Sequence, residues 1–202
     1  MTSFRIPAIL AAALLASPLA LAAKPAPQPA QQDAQQQAAQ ANKAAQPTDV
    51  KDYGDWTVRC FPANKMAPCQ MVQLRIVEKT KQRILGVLVA YLPARDANLM
   101  EISVPLGVAL QNGLVLSSDT YKSGVLKFTR CDQQGCYVEG AVGNDVMGSL
   151  GRATKAQVQI ISMNGKRYNL VFSMKGFNEA HHALVDLAKQ KGGGAAPAPA
   201  GQ

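Results

Sequence analysis

Four cysteines are the residues whose types and spacing indicate the clearest chemistry, and they occur as two close couples. Cys131 and Cys136 enclose Asp-Gln-Gln-Gly, which is typical of a short hairpin loop, and Cys60 and Cys69 enclose a turn-rich segment with two prolines. Residues facing each other across a hairpin have Cα atoms about 4.5–5.5 Å apart, which suits a disulfide. Three pairings are possible in principle. Hairpin geometry favours the local ones, so we expect the disulfides Cys60–Cys69 and Cys131–Cys136.

Zinc binding and thiol redox catalysis are the alternative roles for these cysteines. Neither couple has the two-residue spacing of a zinc ribbon, and an oxidising compartment disfavours free thiolates. Neither couple is the Cys-x-x-Cys of thioredoxin-like enzymes. The sequence therefore predicts structural disulfides, with no metal site and no cofactor.

Other catalytic patterns in the sequence are weak. His181 and His182 are adjacent on a predicted helix, so their side chains point about 100° apart and do not easily chelate one ion together. Ser149 lacks the glycine spacing of a serine nucleophile elbow. The tyrosines are too dispersed to predict a stacking platform for nucleic acid. Nothing in the sequence specifically indicates paired carboxylates, although strands distant in sequence can bring them together. The acidic residues occur in separate elements: Asp55, Asp96, Glu101, Asp119, Asp132, Glu139 and Asp145.

The start of the chain is typical of a bacterial export signal. One cation, Arg5, precedes the almost wholly apolar run Ile6–Leu21, and small residues around Ala22 permit cleavage there or one residue later. An uncleaved membrane anchor is the alternative, but it needs about twenty apolar residues without helix breakers near its end. We therefore expect a signal peptide over residues 1–23 and no transmembrane segment in the mature chain.

Low-complexity segments flank the remaining domain. Residues 24–49 are rich in Pro, Gln and Ala, a composition that cannot offset the entropy of ordering and that predicts a disordered linker. A helix over Gln31–Ala45 is the alternative, although it would have no apolar face to bury. The tail, residues 192–202, is likewise predicted to be disordered. Residues 50–191 then form one domain of about 140 residues, enough for a sizeable core.

The charge of the chain is basic, with 21 Lys and Arg against 13 Asp and Glu and a formal net charge of +8. A positive field favours association with anionic lipid head groups, lipopolysaccharide or polyanionic glycans. The basic residues are scattered, however, with no basic run of five, which fits an ordinary solvated surface better. A polyanion is therefore one candidate partner, beside an envelope or host-surface protein.

Alternation of apolar and polar side chains predicts a mainly β domain. Trp56–Cys60 has period two, and in Met71–Glu78 the apolar set Val72, Leu74 and Ile76 is expected to face the core. The further strands are predicted at Arg83–Leu92, Leu99–Val104, Leu114–Ser117, Val125–Cys131, Cys136–Val142, Ala156–Ser162 and Tyr168–Phe172. About nine short strands indicate an antiparallel β-sandwich or small barrel rather than a βαβ fold.

Turn and helix signals complete the outline. Asn112-Gly113 predicts a tight hairpin, and Asn164-Gly165 predicts a second one that joins the last two strands. Asn144–Leu150 fits a short helical turn, and Asn178–Lys189 fits a C-terminal helix with one apolar stripe. Each of these helical segments begins with an asparagine that is able to cap it.

Several motifs occur along the domain in this order: Gly54-Asp55-Trp56 with Val58 and Cys60; Cys69-Gln70-Met71-Val72-Gln73; Val104-Pro105-Leu106-Gly107-Val108; the couple Cys131 and Cys136 with Gly135; and Ser173-Met174-Lys175-Gly176-Phe177 before Ala180. In this order the motifs resemble the invasion-associated locus B family of exported bacterial proteins. The resemblance spans Tyr53–Leu187. It implies a compact β fold, a periplasmic, surface-associated or secreted protein and, for some relatives, a part in host-cell invasion, but it implies no chemistry.

The combined sequence features favour an envelope-located binding or accessory protein that is not an enzyme. The supporting features are the export signal, the paired cysteines, the basic charge and the lack of a catalytic pattern. One alternative is a periplasmic enzyme with a site assembled from scattered polar residues. The other is a structural envelope protein whose Gln/Ala/Pro linker spans the peptidoglycan.

Overall fold

Ten strands and two α-helices make up the regular structure of residues 46–61 and 63–192, the part of the chain that the computed structural model describes. The strands are β1 (Asp49–Tyr53), β2 (Trp56–Cys60), β3 (Cys69–Ile76), β4 (Arg83–Leu92), β5 (Ala97–Val104), β6 (Leu114–Ser118), β7 (Arg130–Asp132), β8 (Gly135–Val142), β9 (Lys155–Ile161) and β10 (Arg167–Ser173). The helices are α1 (Asn144–Gly151) and α2 (Phe177–Lys191). The expected signal peptide, and all but the ends of the expected linker and tail, lie outside the described residues.

The strands form two antiparallel sheets. The larger sheet has the order β1-β2-β3-β4-β5-β8-β7, and the smaller one has the order β10-β9-β6. Neither sheet closes into a barrel, which confirms the sandwich alternative of the predicted fold class. The prediction of a mainly β protein with a C-terminal helix is also confirmed.

Two strand assignments differ from the sequence-based ones. Strand β1 was not predicted, because Asp49–Tyr53 is mostly polar and lies at the exposed edge of the larger sheet. The predicted strand Val125–Cys131 shortens to β7, and Leu126 makes a single bridge to Leu114 of β6. An edge strand paired on one side needs little apolar patterning, so periodicity alone did not detect β1.

The core lies between the two sheets and beneath helix α2. Trp56 and Val58 of β2 and Met71 of β3 are fully buried on the inner face of the larger sheet. Helix α2 contacts strands β1 to β4 and buries the stripe Ala180, Leu184 and Ala188. The apolar face of α2 therefore packs against the core, as its sequence predicts.

The prediction that Leu74 and Ile76 of β3 face the core is wrong. Both side chains are exposed, and the inward residues of the strand are Cys69, Met71 and Gln73. Cys69 is paired directly with Cys60 of β2, so the first disulfide fixes which face of β3 is inward. A shift of one residue in the alternation moves every side chain of a strand to the other face of the sheet.

The two Asn-Gly dipeptides have different outcomes. Gly165 lies in the turn between β9 and β10, so the second predicted hairpin is confirmed. The prediction of a hairpin at Asn112-Gly113 is wrong, since β5 and β6 belong to different sheets. That dipeptide instead ends a short 3₁₀ turn, Leu110–Asn112, where the chain crosses from one sheet to the other.

Both helices are present, but neither predicted asparagine cap is formed. The N-cap residues are Gly143 for α1 and Gly176 for α2, and neither makes a side-chain capping bond. The Asn178 side chain donates to the carbonyl of Gly151 at 2.8 Å and so links the two helices. Within the described residues, no helix is both long and apolar enough to cross a membrane.

Candidate ligand-binding cleft

An apolar cleft of about 410 Å³ opens between strands β5 and β8 of the larger sheet and strand β6 of the smaller one. Its walls include the buried side chains of Met100, Ile102, Leu116 and Val138. Pockets that hold small organic ligands have volumes of about 300–1,000 Å³ and mostly apolar walls. The cleft therefore has the size and lining of a site for an apolar group.

A missing side chain at Gly140 leaves the cleft open. Gly140 is paired with Met100, which is paired with Val89 on the inner face of the larger sheet. The inward side of β8 thus has Val138 and Val142 on either side of a glycine. A Cβ atom built on Gly140 meets no other atom within 4 Å. Gly140 lines the cleft and is itself exposed, so the open space beside it is the part of the cleft that reaches solvent.

The mouth of the cleft carries a few polar groups. Lys127 lies at the rim and donates from Nζ to the carbonyl of Gln111 at 3.3 Å. Tyr121 and Thr129 complete this side. The arrangement can hold an apolar group with a polar end at the rim. Among the lining residues, the Thr129 hydroxyl donates to the carbonyl of Tyr137 and the Glu139 carboxylate binds Arg130, so no nucleophile is paired with a base there.

A pair of carboxylates lies on the opposite, outer face of the same strands. Glu101 is directly opposite Glu139, and the guanidinium of Arg130 binds both, at 3.0 and 2.8 Å. Arg130 also binds Asp132 at 3.1 Å and stacks over the ring of Tyr137. Burial, followed by the hydrogen bond with Glu139, raises the pKa of Glu101. This pairing depends on the β5–β8 register, which sequence reasoning did not predict.

The five motif residues of the predicted site come together in one junction. Asp55 donates its backbone N–H to the carbonyl of Lys175 at 3.1 Å, and the ring centroid of Trp56 lies 5.2 Å from that of Phe177. Gly54 and Gly176 face each other at this crossing, where the backbones leave no room for a side chain. The junction ties the β1–β2 turn to the start of α2, and a smaller and more open pocket of about 310 Å³ lies against Gly54 and Gly176 there.

The two cysteine couples form disulfides, Cys60–Cys69 between β2 and β3 and Cys131–Cys136 between β7 and β8. Each couple is a directly opposed cross-strand pair. Cys60 and Cys69 are fully buried, whereas Cys131 is exposed. The described part of the chain holds no group of three or more His, Cys, Asp or Glu side chains placed to bind a metal ion.

The two histidines have separate environments on α2. His181 is half-buried, stacks on Phe177 and donates from Nε2 to Oδ1 of Asn98 at 2.9 Å, while Asn98 donates to Asn144. Burial, and secondarily the charge of His182, lowers the pKa of His181. His182 faces solvent. The neutral His181 ring therefore serves to satisfy the buried amide of Asn98.

Sequence reasoning missed the cleft, although one signal for it was present. Gly140 interrupts an otherwise well-formed strand, and a glycine inside a strand often marks a bulge or a place where something else approaches closely. The opposite wall could not be identified from local patterns. Leu116 and Tyr121 reach the cleft only because β6 lies in the second sheet.

Fold and cleft together define a class of protein: a two-sheet antiparallel sandwich with two hairpin disulfides, a C-terminal helix and an apolar cleft between the sheets. A family model described as "Invasion associated locus B (IalB) protein" matches residues 56–185. The chain belongs to the invasion associated locus B family. The resemblance predicted from the ordered motifs is thus confirmed.

A solved relative shows the same fold. The crystal structure of invasion associated protein b from Bartonella henselae matches with a TM-score of 0.62 and 19% sequence identity. The match covers 70% of this chain and 99% of that chain. At this identity the likeness shows the fold and does not transfer a site. A search of curated proteins found no match.

Proposed function

We propose that this protein is an exported, envelope-located binding or accessory protein that holds an apolar group in the cleft at Gly140. The observation that carries the proposal is the apolar cleft of about 410 Å³ at Gly140, an exposed glycine on the strand face that also carries the buried Val138. An apolar ligand that covers the walls of this cleft is stabilised there, because binding removes apolar surface from water. The bound group would be the apolar part of an envelope or host-surface component, in line with a role in envelope interactions or host-cell invasion.

The proposed location outside the cytoplasm rests on two independent supports. Disulfides persist in oxidising compartments such as the bacterial periplasm, and this chain has two. The proposed domain division adds a signal peptide over residues 1–23, a linker over 24–49, the folded domain over 50–191 and a tail over 192–202. Fractionation of cells expressing the full chain, followed by protease treatment of intact and permeabilised cells, tests both location and exposure.

Filling the cleft tests the proposed binding site. Gly140→Leu places a side chain into the open space, so we expect its affinity for the apolar fluorescent probe N-phenylnaphthylamine to fall about ten-fold or more. Gly124→Leu is the matched control, because a Cβ at Gly124 also meets open space but lies outside the cleft. Thermal unfolding of both variants checks that each still folds. Equal affinity of the two folded variants, or no saturable binding by the unchanged protein, would contradict the proposal.

We also propose that the protein is not an enzyme. The carboxylate pair best suited to acid–base chemistry is Glu101 and Glu139; Glu139 borders the cleft, but both carboxylates bind the guanidinium of Arg130. A general acid or base must reach the proton it transfers in a bound substrate. Turnover in a broad hydrolase and glycan-cleavage screen, retained by the unchanged protein and lost in Glu101→Gln, would support the enzyme alternative instead.

A further inference from the structure

The β3–β4 hairpin projects beyond its neighbours in the larger sheet. Pairing of β2 with β3 ends at Val72, whereas pairing of β3 with β4 continues to Ile76. All residues from Leu74 to Gln82 are exposed. The hairpin therefore offers a tip that is covered on neither face by the described residues.

The projecting tip exposes several large apolar side chains, a residue type that folded proteins usually bury. The exposed fractions are 46% for Leu74, 50% for Ile76 and 37% for Val77. Leu74 and Ile76 lie on one face of β3, since strand residues two apart share a face. Leu106 is 57% exposed and lines a shallow depression with Arg83, next to the tip. Together they form a small apolar patch at one end of the strand.

Cations surround this patch. Arg75, Lys79, Lys81 and Arg83 belong to the hairpin, and Glu78 is the one acidic residue between them. None of the four cations forms an ion pair with another described residue; Arg83 donates to the carbonyl of Gln134 at 3.2 Å. Their charge is thus left for an external anion.

We propose that the tip of the β3–β4 hairpin docks onto an anionic phospholipid bilayer. Exposed apolar side chains beside Lys and Arg match the two parts of a membrane surface: apolar groups enter the boundary of the acyl region, and cations attract the charged head groups. Each cation near such a surface strengthens binding about five-fold. The exposed apolar side chains are few and lie among four cations, which fits a charged lipid surface better than the apolar core of a protein interface.

Vesicle sedimentation of the purified protein tests the proposal. We expect binding to vesicles of phosphatidylglycerol and phosphatidylethanolamine, little binding to phosphatidylcholine vesicles, and weakening by salt. Lys79→Gln with Lys81→Gln should lower partitioning about 25-fold. The control pair, Lys65→Gln with Lys122→Gln, removes the same charge away from the tip; Lys65 lies in the loop at the other end of β3. Partitioning onto the anionic vesicles should fall much less in the control pair.

A second pair of variants tests the apolar contribution without changing the charge. Ile76→Ser with Val77→Ser should weaken binding to anionic vesicles several-fold and leave the melting temperature nearly unchanged, because both side chains are exposed. No binding of the unchanged protein to anionic vesicles would overturn the proposal. Equal loss in the two lysine pairs would also overturn it, since diffuse net charge would then explain the binding. Self-association through the patch without lipid binding would overturn it in favour of a second copy of the chain.

Discussion

Gln73 and Ser173, one hundred positions apart, exchange two hydrogen bonds between the two sheets. The backbone N–H of Ser173 donates to Oε1 of Gln73 at 2.8 Å, and Nε2 of Gln73 donates to the carbonyl of Ser173 at 3.1 Å. The same Nε2 donates to the carbonyl of Asp55 at 3.0 Å, and the indole of Trp56 also donates to Ser173. One buried side chain thus connects the β1–β2 turn to the end of β10.

Replacing this glutamine should destabilise the protein strongly. Gln73→Met keeps the approximate side-chain volume but removes the hydrogen-bond partner of the Ser173 N–H and of the Asp55 carbonyl, so we expect a loss of about 1–3 kcal/mol in the free energy of unfolding. Urea unfolding measures the change. The control is Gln159→Met on β9, where the side chain is partly exposed and its loss should cost less than about 0.5 kcal/mol. Similar costs at the two positions would contradict the proposed bridging role.

The glycine junction gives a second prediction. Gly176 has φ +82°, and an added Cβ would overlap the backbone of Tyr53. Gly176→Ala should therefore cost more than about 3 kcal/mol, because it combines backbone strain with overlap that neither backbone can relieve cheaply. Gly148→Ala, within α1, is the control: its Cβ has no neighbour nearer than 3.6 Å, and the change should stabilise the helix by up to about 1 kcal/mol. Thermal unfolding compares the two variants, and tolerance of Gly176→Ala would refute this account.

Sequence patterns predicted the features of this fold that depend on residues close together in the chain. The strand-rich class, the two hairpin disulfides and helix α2 follow from alternation, cysteine spacing and one apolar stripe. The phase of β3 does not follow from them, because its larger apolar set is outward and its inward Gln73 is stabilised by a residue one hundred positions away. Long-range pairing also places Gly140 against Met100 and Glu139 against Glu101, so the sequence could not predict the cleft or the carboxylate pair.

The disulfides should differ in their resistance to reduction. Both sulfurs of the first bridge belong to fully buried residues, Cys60 and Cys69, whereas Cys131 of the second bridge is exposed. Reduction requires a thiolate to reach a sulfur atom. In the folded protein, dithiothreitol should therefore reduce Cys131–Cys136 first, as alkylation and mass spectrometry at successive times can show. In denaturant the difference in rate should largely disappear. Faster reduction of Cys60–Cys69 in the folded protein would contradict the burial argument.

Loss of each bridge should also lower stability. Replacing both cysteines of either couple by alanine should cost about 2–3 kcal/mol, because each bridge closes a short loop in the unfolded chain. The Cys60–Cys69 variant should lose more, since it also removes fully buried sulfur atoms from the core. Urea unfolding of the two double variants measures this order, and a reversed order would show that the exposed bridge stabilises the fold more.

Protonation of His181 should make stability depend on pH. Burial lowers the pKa of His181 below its ordinary 6.5, so the unfolded chain takes up this proton more readily than the folded protein does. Stability from this group is therefore complete above about pH 6.5 and falls as the pH decreases towards the lower folded pKa. His181→Gln can still donate to Asn98 and should remove that part of the slope in urea midpoints between about pH 5 and 7. His182→Gln, on the exposed side of α2, is the control. An unchanged slope in His181→Gln would show that other groups cause the pH dependence.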